Sequence, residues 1–516
     1  MSQSSSSSST SEVSDQPSDP EELDSKNRQG KDSQEATPSI AANIISQIGN
    51  ESLAPHSVSP DQIPTIVKNL RDYFDTDVTF DFSWRKTQLK GLITILTKHE
   101  QHWVDAMYQD MGTHFFEAKL MIANIISEIT DTLEHFEKWL KPEKRSNPWA
   151  LAPGNTIVQP EPYGVVCDFI PYNYPMYLGF STLIPIFAAG NVCLFKPSSN
   201  TPACAALYQR LFPRYLDPKG IAVVCGPTSI CDVILKERFD FIFYTGSPKV
   251  GKLVMKAAAE HLTPVILELG GKSPVYFDDD VSLEKCTKRL LFGKNFNGGQ
   301  TCVCPDYCLV NTKIWDKLLN CIKKVMTQFY GEPDKVNDNI TKIINSRHYD
   351  RIVNAADNCG GEYLIKGFRS SEQKYIGPTV ILNPALDSEL MTEEIFGPVL
   401  PLIRVENANE AVKFIREREK PLAIYVMSQN SKVQKLFAEK TTSGALMYND
   451  VVFHVSSANS PFGGVGNSGM GQYHGDVGVK SLSHMKPVIN HKTTIDMEKR
   501  YPPYDLDNLN SLMKWI

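Results

Sequence analysis

Basic excess is absent from this sequence. Lys and Arg number 53 against 59 Asp and Glu, a formal charge of −6. No broad positive field is available to neutralise a phosphate backbone, which argues against bulk nucleic-acid binding. Paired cysteine motifs are absent too. The 11 cysteines scatter from Cys167 to Cys359 with no CxxC pairs at zinc spacing. That argues against a structural metal and for reduced, mostly buried thiols in a reducing, cytoplasmic setting. Uninterrupted apolar runs of membrane length are the third absence. No charge occurs between Asp168 and Lys196, but Pro171, Asn173, Pro175, Gly179, Pro185, Gly190 and Asn191 break the stretch. It reads as strand, loop, short helix and strand of a packed core, with no integral membrane span. Residues 508–516 mix Asn, Ser and Lys with their apolar members, so no anchor is expected there either, and only peripheral contact through Trp515 and Ile516 stays open.

The residues that are present can build large cores. A chain of 516 residues with 41% hydrophobic and 22% charged side chains fits two or three globular domains. Residues 1–60 stand apart. Residues 4–9 are all serine, and Asp, Glu, Gln and Pro dominate the remainder of that stretch, so a disordered tail is expected. Its first basic residue, Lys26, comes after six acids, unlike a mitochondrial presequence, and it has no apolar segment of a secretory signal. From residue 61 to 142 apolar residues recur at helical steps, as in Ile63, Ile66, Val67 and Leu70, with Asp110-Met111-Gly112 punctuating two helices. Beyond residue 160 short apolar runs at 165–170, 192–195, 221–224, 241–244 and 265–267 alternate with helical stretches, the signature of a parallel sheet covered on both faces. A second alternation from 273 to about 450 predicts a second α/β domain.

Four motifs carry chemistry. In Phe296-Asn297-Gly298-Gly299-Gln300-Thr301-Cys302 a helix over 283–295 runs into a Gly-Gly break and a thiol. The break allows positive φ and close approach of a substrate carbonyl, with N–H groups free to face an oxyanion; a structural cysteine is the alternative. Glu268 ends an apolar strand before Gly270-Gly271. A carboxylate there sits where open α/β sheets place ligands, and burial makes it a base near neutral pH; a turn cap or a pair with Lys272 is the alternative. Asn173 lies in Pro171-Tyr172-Asn173-Tyr174-Pro175, and its amide can donate to an oxyanion or close an Asx-turn. Residues 243–251, FYTGSPKVG, read as strand, glycine turn and helix start, with free N–H groups suited to a pyrophosphate around Gly246, Ser247 and Gly251, though the spacing is not GxGxxG.

Together with EEIFGPV at 393–399 and PFGGVGNSGMGQYHG at 461–475, these blocks resemble the aldehyde dehydrogenase superfamily in its own order, over roughly residues 60–503. The last block, the ending CVCPDY and RYPPY at 500–504 look most like the class 3 branch, which includes fatty aldehyde dehydrogenases. The resemblance implies an α/β aldehyde dehydrogenase-like fold with two doubly wound α/β domains plus a small β oligomerisation element. It places an NAD(P)-binding domain at 61–268, interrupted at about 146–161, a catalytic domain at 269–450, and the oligomerisation element in 146–161 and 478–495 of a homodimer. It implies that Cys302 attacks an aldehyde, that Asn173 and the Cys302 N–H hold the oxyanion, and that Glu268 activates water against the thioester left after hydride transfer to NAD or NADP. Glu394 and Phe396 match the family's contacts to the nicotinamide ribose and ring, Lys196 its contact to the adenosine ribose or a 2′-phosphate, and Gly246 and Ser247 its pyrophosphate turn. A medium- or long-chain aliphatic aldehyde is the expected substrate, with Tyr174, Tyr177, Phe292, Phe296 and Phe453 as candidate tunnel walls.

Two departures from the family pattern matter. Ser199 stands where the family's Lys-Pro-Ser-Glu has its acid, so NADP should be tolerated. Cys304 stands where the class usually has Ala or Ser, and could oxidise with Cys302, although so short a loop strains a disulfide. Rival readings fit less of the sequence. A CoA-acylating dehydrogenase predicts no base at 268, a silent binding relative predicts loss of Cys302, Glu268 or Asn173, and a thiol hydrolase leaves Glu394, Phe396 and the phosphate turn without a role.

Overall fold

The computed structural model describes residues 54–148, 151, 154–494 and 496–514. Most of the expected tail, Trp515, Ile516 and parts of 146–161 lie outside those residues. The tail's expected end at residue 60 comes too late. The His56 backbone exchanges two hydrogen bonds with the Gln209 amide, and Val58 N donates to Cys225 O at 2.9 Å.

The N-terminal helices are Ile63–Phe74, Phe82–Lys98, Glu100–Met111 and Phe115–Trp139. Gly112, at φ 69°, stops the third of them. The uncharged stretch forms strand Val165–Phe169, helix Pro175–Ala189 and strand Val192–Lys196, buried throughout except at Tyr177. Among the described residues no helix is long and apolar enough to cross a membrane.

Strands Val265–Leu269, Phe241–Gly246, Val165–Phe169, Val192–Lys196 and Ile221–Val223 lie side by side and parallel, in that spatial order. The order reverses between Val165–Phe169 and Phe241–Gly246, and ligands of such sheets bind beyond the strand C-termini at that switch. Two of these strands run two residues further than the apolar pattern indicates, because Thr245 and Gly246 pair with Glu268 and Leu269. Gly469–Met470 adds to the sheet's edge antiparallel, with Gly469 opposite Glu268.

A second sheet orders Glu362–Ile365, Thr379–Leu382, Val399–Val405, Pro305–Asn311, Ser273–Phe277, Ala423–Met427 and Ala445–Tyr448. All but the first pair are parallel. Strands Ser273–Phe277, Pro305–Asn311 and Ala423–Met427 are wholly buried, as continuous apolar runs require. A third, antiparallel sheet joins Glu143–Arg145, Asn155–Pro162 and Ser483–Asn490.

Candidate active site

Helix Leu283–Asn295 is closed by the turn Phe296–Gly299, where Asn297, Gly298 and Gly299 take φ of 54°, 61° and 74°. Three successive left-handed residues favour Asn and Gly. Space demands the glycines as well. A Cβ on Gly298 would meet Thr341 O at 2.3 Å, and one on Gly299 the Gly397 carbonyl at 2.4 Å. The Gln300 amide pins the bend by donating to Asn297 O and Lys342 O and accepting from Ile344 N at 3.0 Å. Asn297 donates to Asn173 O at 2.7 Å, and the Tyr425 hydroxyl to Val303 O at 2.6 Å. Buried Glu117, lifted to about 7 by burial, accepts the Asn297 N–H at 3.2 Å and the Thr341 hydroxyl at 3.3 Å. This scaffold presents Cys302, half-buried, to a cavity of about 2130 Å³. Burial, then the carboxyls of Glu394 and Glu268, push its thiol pKa up.

Glu268 lines the same cavity from strand Val265–Leu269 and is 3% exposed. It lies within the strand rather than at its end. Both carboxyl oxygens are buried without a hydrogen-bond partner, and burial drives the pKa well above the ordinary carboxylate range. The alternative of a pair with Lys272 fails, because Lys272 is bonded to Asp306, Leu390 O and Glu393 O. Asn173 donates its amide to Gln300 O at 3.1 Å, across to the cysteine loop, and the residue two on, Pro175, has no N–H with which its Oδ1 could close an Asx-turn. Tyr174, Tyr177, Phe292, Phe296 and Phe453 all line the cavity, and Phe292 stacks on Phe453 with centroids 5.7 Å apart.

Lys196, Ser199, Gly246, Ser247, Glu394 and Phe396 line it as well. Lys196 is buried, its pKa lowered by burial, with Nζ donating to Pro197 O at 2.7 Å. Ser199 Oγ lies 3.3 Å from Thr228 Oγ1. Ser247 caps helix Pro248–Ala259 from the cavity wall, its Oγ accepting from Val250 N at 3.4 Å. Gly251 is the exception. It does not line the cavity; a Cβ there would come 2.6 Å from Leu269, so its small size serves helix-to-strand packing.

Glu394 rests against Gly270, where a Cβ would meet its Oε2 at 2.0 Å. Burial lifts this carboxyl to about 8, and Oε1 has no partner. Its backbone is held by Arg351, whose guanidinium donates to Glu394 O at 3.0 Å and Ile395 O at 2.7 Å. Asp306 accepts from Ile395 N at 3.1 Å. Phe396 takes φ 50° and packs edge-on to Tyr172. A buried lysine, an N-terminal helix turn facing the cavity, and the unpartnered Thr245 Oγ1 and Glu394 Oε1 suit a dinucleotide's ribose hydroxyls and pyrophosphate. Cys302 and Cys304 are both free thiols, and Cys304 donates to Lys294 O at 3.5 Å. Among the described residues no cluster of metal-ligating side chains occurs.

Sequence patterns do not reveal Arg351, which carries no motif, or the roles of Asp306 and Lys272, which lie inside motif blocks but act through the fold. Glu117 and Tyr425 are likewise visible only in three dimensions.

The aldehyde dehydrogenase family model matches residues 43–488. Aldehyde dehydrogenase family 3 member H1 of Arabidopsis thaliana is 39% identical over 87% of this chain and 93% of its own. The dimeric NADP-preferring aldehyde dehydrogenase of Rattus norvegicus is 38% identical over 86% and 98%. The solved substrate-bound state of Staphylococcus aureus AldH superposes with a TM-score of 0.84 at 34% identity, covering 88% of this chain and 99% of that one.

Proposed function

This chain belongs to the aldehyde dehydrogenase family and is an NAD(P)-dependent aldehyde dehydrogenase, and from that premise we propose that it oxidises medium- or long-chain aliphatic aldehydes to carboxylic acids through Cys302 and Glu268. One observation carries the reading: a thiol and a buried carboxyl with two uncommitted oxygens line one cavity. Cys302 adds to the aldehyde carbon. The second N–H of the Asn173 amide and the Cys302 backbone N–H hold the resulting oxyanion, which is what lets the tetrahedral adduct expel hydride. Bound NAD(P) supplies the hydride acceptor. Lys196, Ser247 and Glu394 would hold it, with Phe396 beside the ring. Glu268 then takes a proton from water, which hydrolyses the thioester. The aromatic wall favours apolar aldehydes.

Ser199 leaves no carboxylate to repel a 2′-phosphate, which supports use of NADP as well as NAD. The name of the rat relative, dimeric and NADP-preferring, is in keeping with that reading and with a homodimer. The free thiols suit a reducing, cytoplasmic setting.

The test is absorbance at 340 nm with decanal and either cofactor. Native protein should reduce both NAD and NADP. Cys302→Ala should abolish the signal, while Glu268→Gln should give one fast turnover and then stall, a steady-state loss of about 10²-fold or more. Full steady-state turnover by either variant would overturn the assignment.

A further inference from the structure

In the reaction proposed above, two donors must meet at one point as the aldehyde oxygen gains charge: the second N–H of the Asn173 amide and the backbone N–H of Cys302. Neither segment fixes that point alone. Asn173 sits in the loop after strand Val165–Phe169, and Cys302 follows a bend of three left-handed residues, two of them glycine. Glycine leaves a backbone free to take other conformations, so such a bend keeps one shape only where its polar groups are gripped from outside.

The grip comes from a helix that none of the motifs includes. Glu117 is the third residue of helix Phe115–Trp139 and is 7% exposed. Both of its carboxyl oxygens face the bend. Oε2 and Oε1 accept the Asn297 N–H at 3.2 Å and 3.3 Å, and Oε2 also accepts the Thr341 hydroxyl at 3.3 Å. Thr341 in turn lies under the bend, where a Cβ on Gly298 would meet its carbonyl oxygen. The Asn297 side chain carries the grip onward. Its amide donates to Asn173 O at 2.7 Å and to Gln300 O at 3.1 Å, and Gln300 O also accepts the Asn173 amide. Both N–H bonds of the Asn297 amide are thereby used, and one N–H of Asn173 remains for a ligand in the cavity that Asn173 lines. Each link from Glu117 to Asn173 is a hydrogen bond.

The same helix also bounds the substrate space. Leu120, Met121 and Asn124 follow Glu117 by three, four and seven residues, on one helix face, and line the cavity. Glu117 itself does not line it, so it touches no reacting atom. One face of one helix thus carries the wall against which the aldehyde lies and the carboxyl that grips the donor loop.

We propose that Glu117 is the positioning residue of the oxyanion hole, holding Asn173 through Asn297 in register with the substrate wall. That role rests on Asn173 as an oxyanion donor, and the experiment separates the two.

Full-length protein is used for two measurements. One is the first turnover of decanal with NADP at enzyme excess, followed at 340 nm. The other is alkylation of Cys302 by iodoacetamide, read on its peptide by mass spectrometry. Alkylation needs the thiol within reach but forms no oxyanion. Glu117→Ala should slow the first turnover about tenfold or more and leave alkylation at the native rate. Glu117→Gln keeps an oxygen for the Asn297 N–H and should recover most of the turnover rate. Asn173→Ala should lose about 10²-fold. Adding Glu117→Ala to it should cost little more, because two changes that remove one interaction do not multiply. If Glu117→Ala fails to fold, Glu117→Asp, whose carboxyl stops one methylene short of Asn297, reads the same cycle. The proposal is overturned by a native first turnover in the variant used, by losses that multiply in the double variant, by Glu117→Gln as slow as Glu117→Ala, or by alkylation that falls as far as turnover. If Asn173→Ala is impaired while the Glu117 variants run normally, the positioning role alone fails; if Asn173→Ala also runs normally, the oxyanion assignment fails with it.

Discussion

At the scale of single residues, Asp168 shows how burial sets the pH response of this protein. It sits fully buried in strand Val165–Phe169, accepts the Thr182 hydroxyl at 2.6 Å on Oδ2, and has no partner on Oδ1. Burial lifts it to about 8. A carboxyl held above its unfolded value binds its proton more tightly in the folded state. Its contribution to stability is therefore complete below the unfolded value, near 4, and is lost as pH rises through about 8, at about 1.4 kcal/mol per unit of separation. Native protein should thus lose melting temperature between pH 6 and pH 9. Asp168→Asn, which carries no charge to bury, should lose less over the same interval. Melting curves by circular dichroism check this, and parallel pH dependence in the two proteins would show that Asp168 is not a source of the loss.

At the scale of elements, the cavity depends on a loop tied from behind. The buried pair Lys272–Asp306 and the Asp306 bond to Ile395 N hold the segment that carries Glu394 and Phe396. Removing one partner of a buried pair leaves an uncompensated charge, typically costing about 3–5 kcal/mol. Asp306→Asn should therefore lower the melting temperature and raise KM for NAD(P) about tenfold or more, since small misplacements of a binding group are costly. Unchanged cofactor KM by steady-state kinetics would mean that the loop holds without the pair. This strut marks the limit of what sequence shows. Strands such as Val165–Phe169 and Val192–Lys196 are legible because parallel sheets buried on both faces read as apolar runs, and the Asn297–Gly299 bend because glycine marks positive φ. Asp306 and Lys272 stand in the sequence as motif letters, but their bond joins segments that only the sheet brings together. Glu117 reads as an ordinary helix acid until the Asn297 N–H is folded against it. Gly251 is legible as a required small residue, but the sequence pattern points to the wrong requirement: Leu269, not a phosphate, needs the space.

At the scale of the whole molecule, the third sheet stands out by its exposure. Strand Ser483–Asn490 pairs with Asn155–Pro162 on one side only, and the strand order leaves its other edge without a partner among the described residues. Val488 and Ile489 on that strand are 38% and 50% exposed. A long edge strand with apolar side chains is a template for another strand; Lys486 and Pro487 blunt the middle of this one, which leaves Val488 and Ile489 as its open apolar end. In the homodimer we propose, this ribbon would be the contact, the edge of one copy meeting that of its partner in an isologous pairing. Charges placed there act twice in such a contact, once from each copy. Replacing Val488 and Ile489 together by Lys should convert the dimer to single chains in sedimentation velocity. Because neither side chain lines the cavity, cofactor reduction per chain at high substrate should persist. A variant that sediments as a dimer would move the interface elsewhere. A native protein that already sediments as single chains would leave the ribbon without a partner copy.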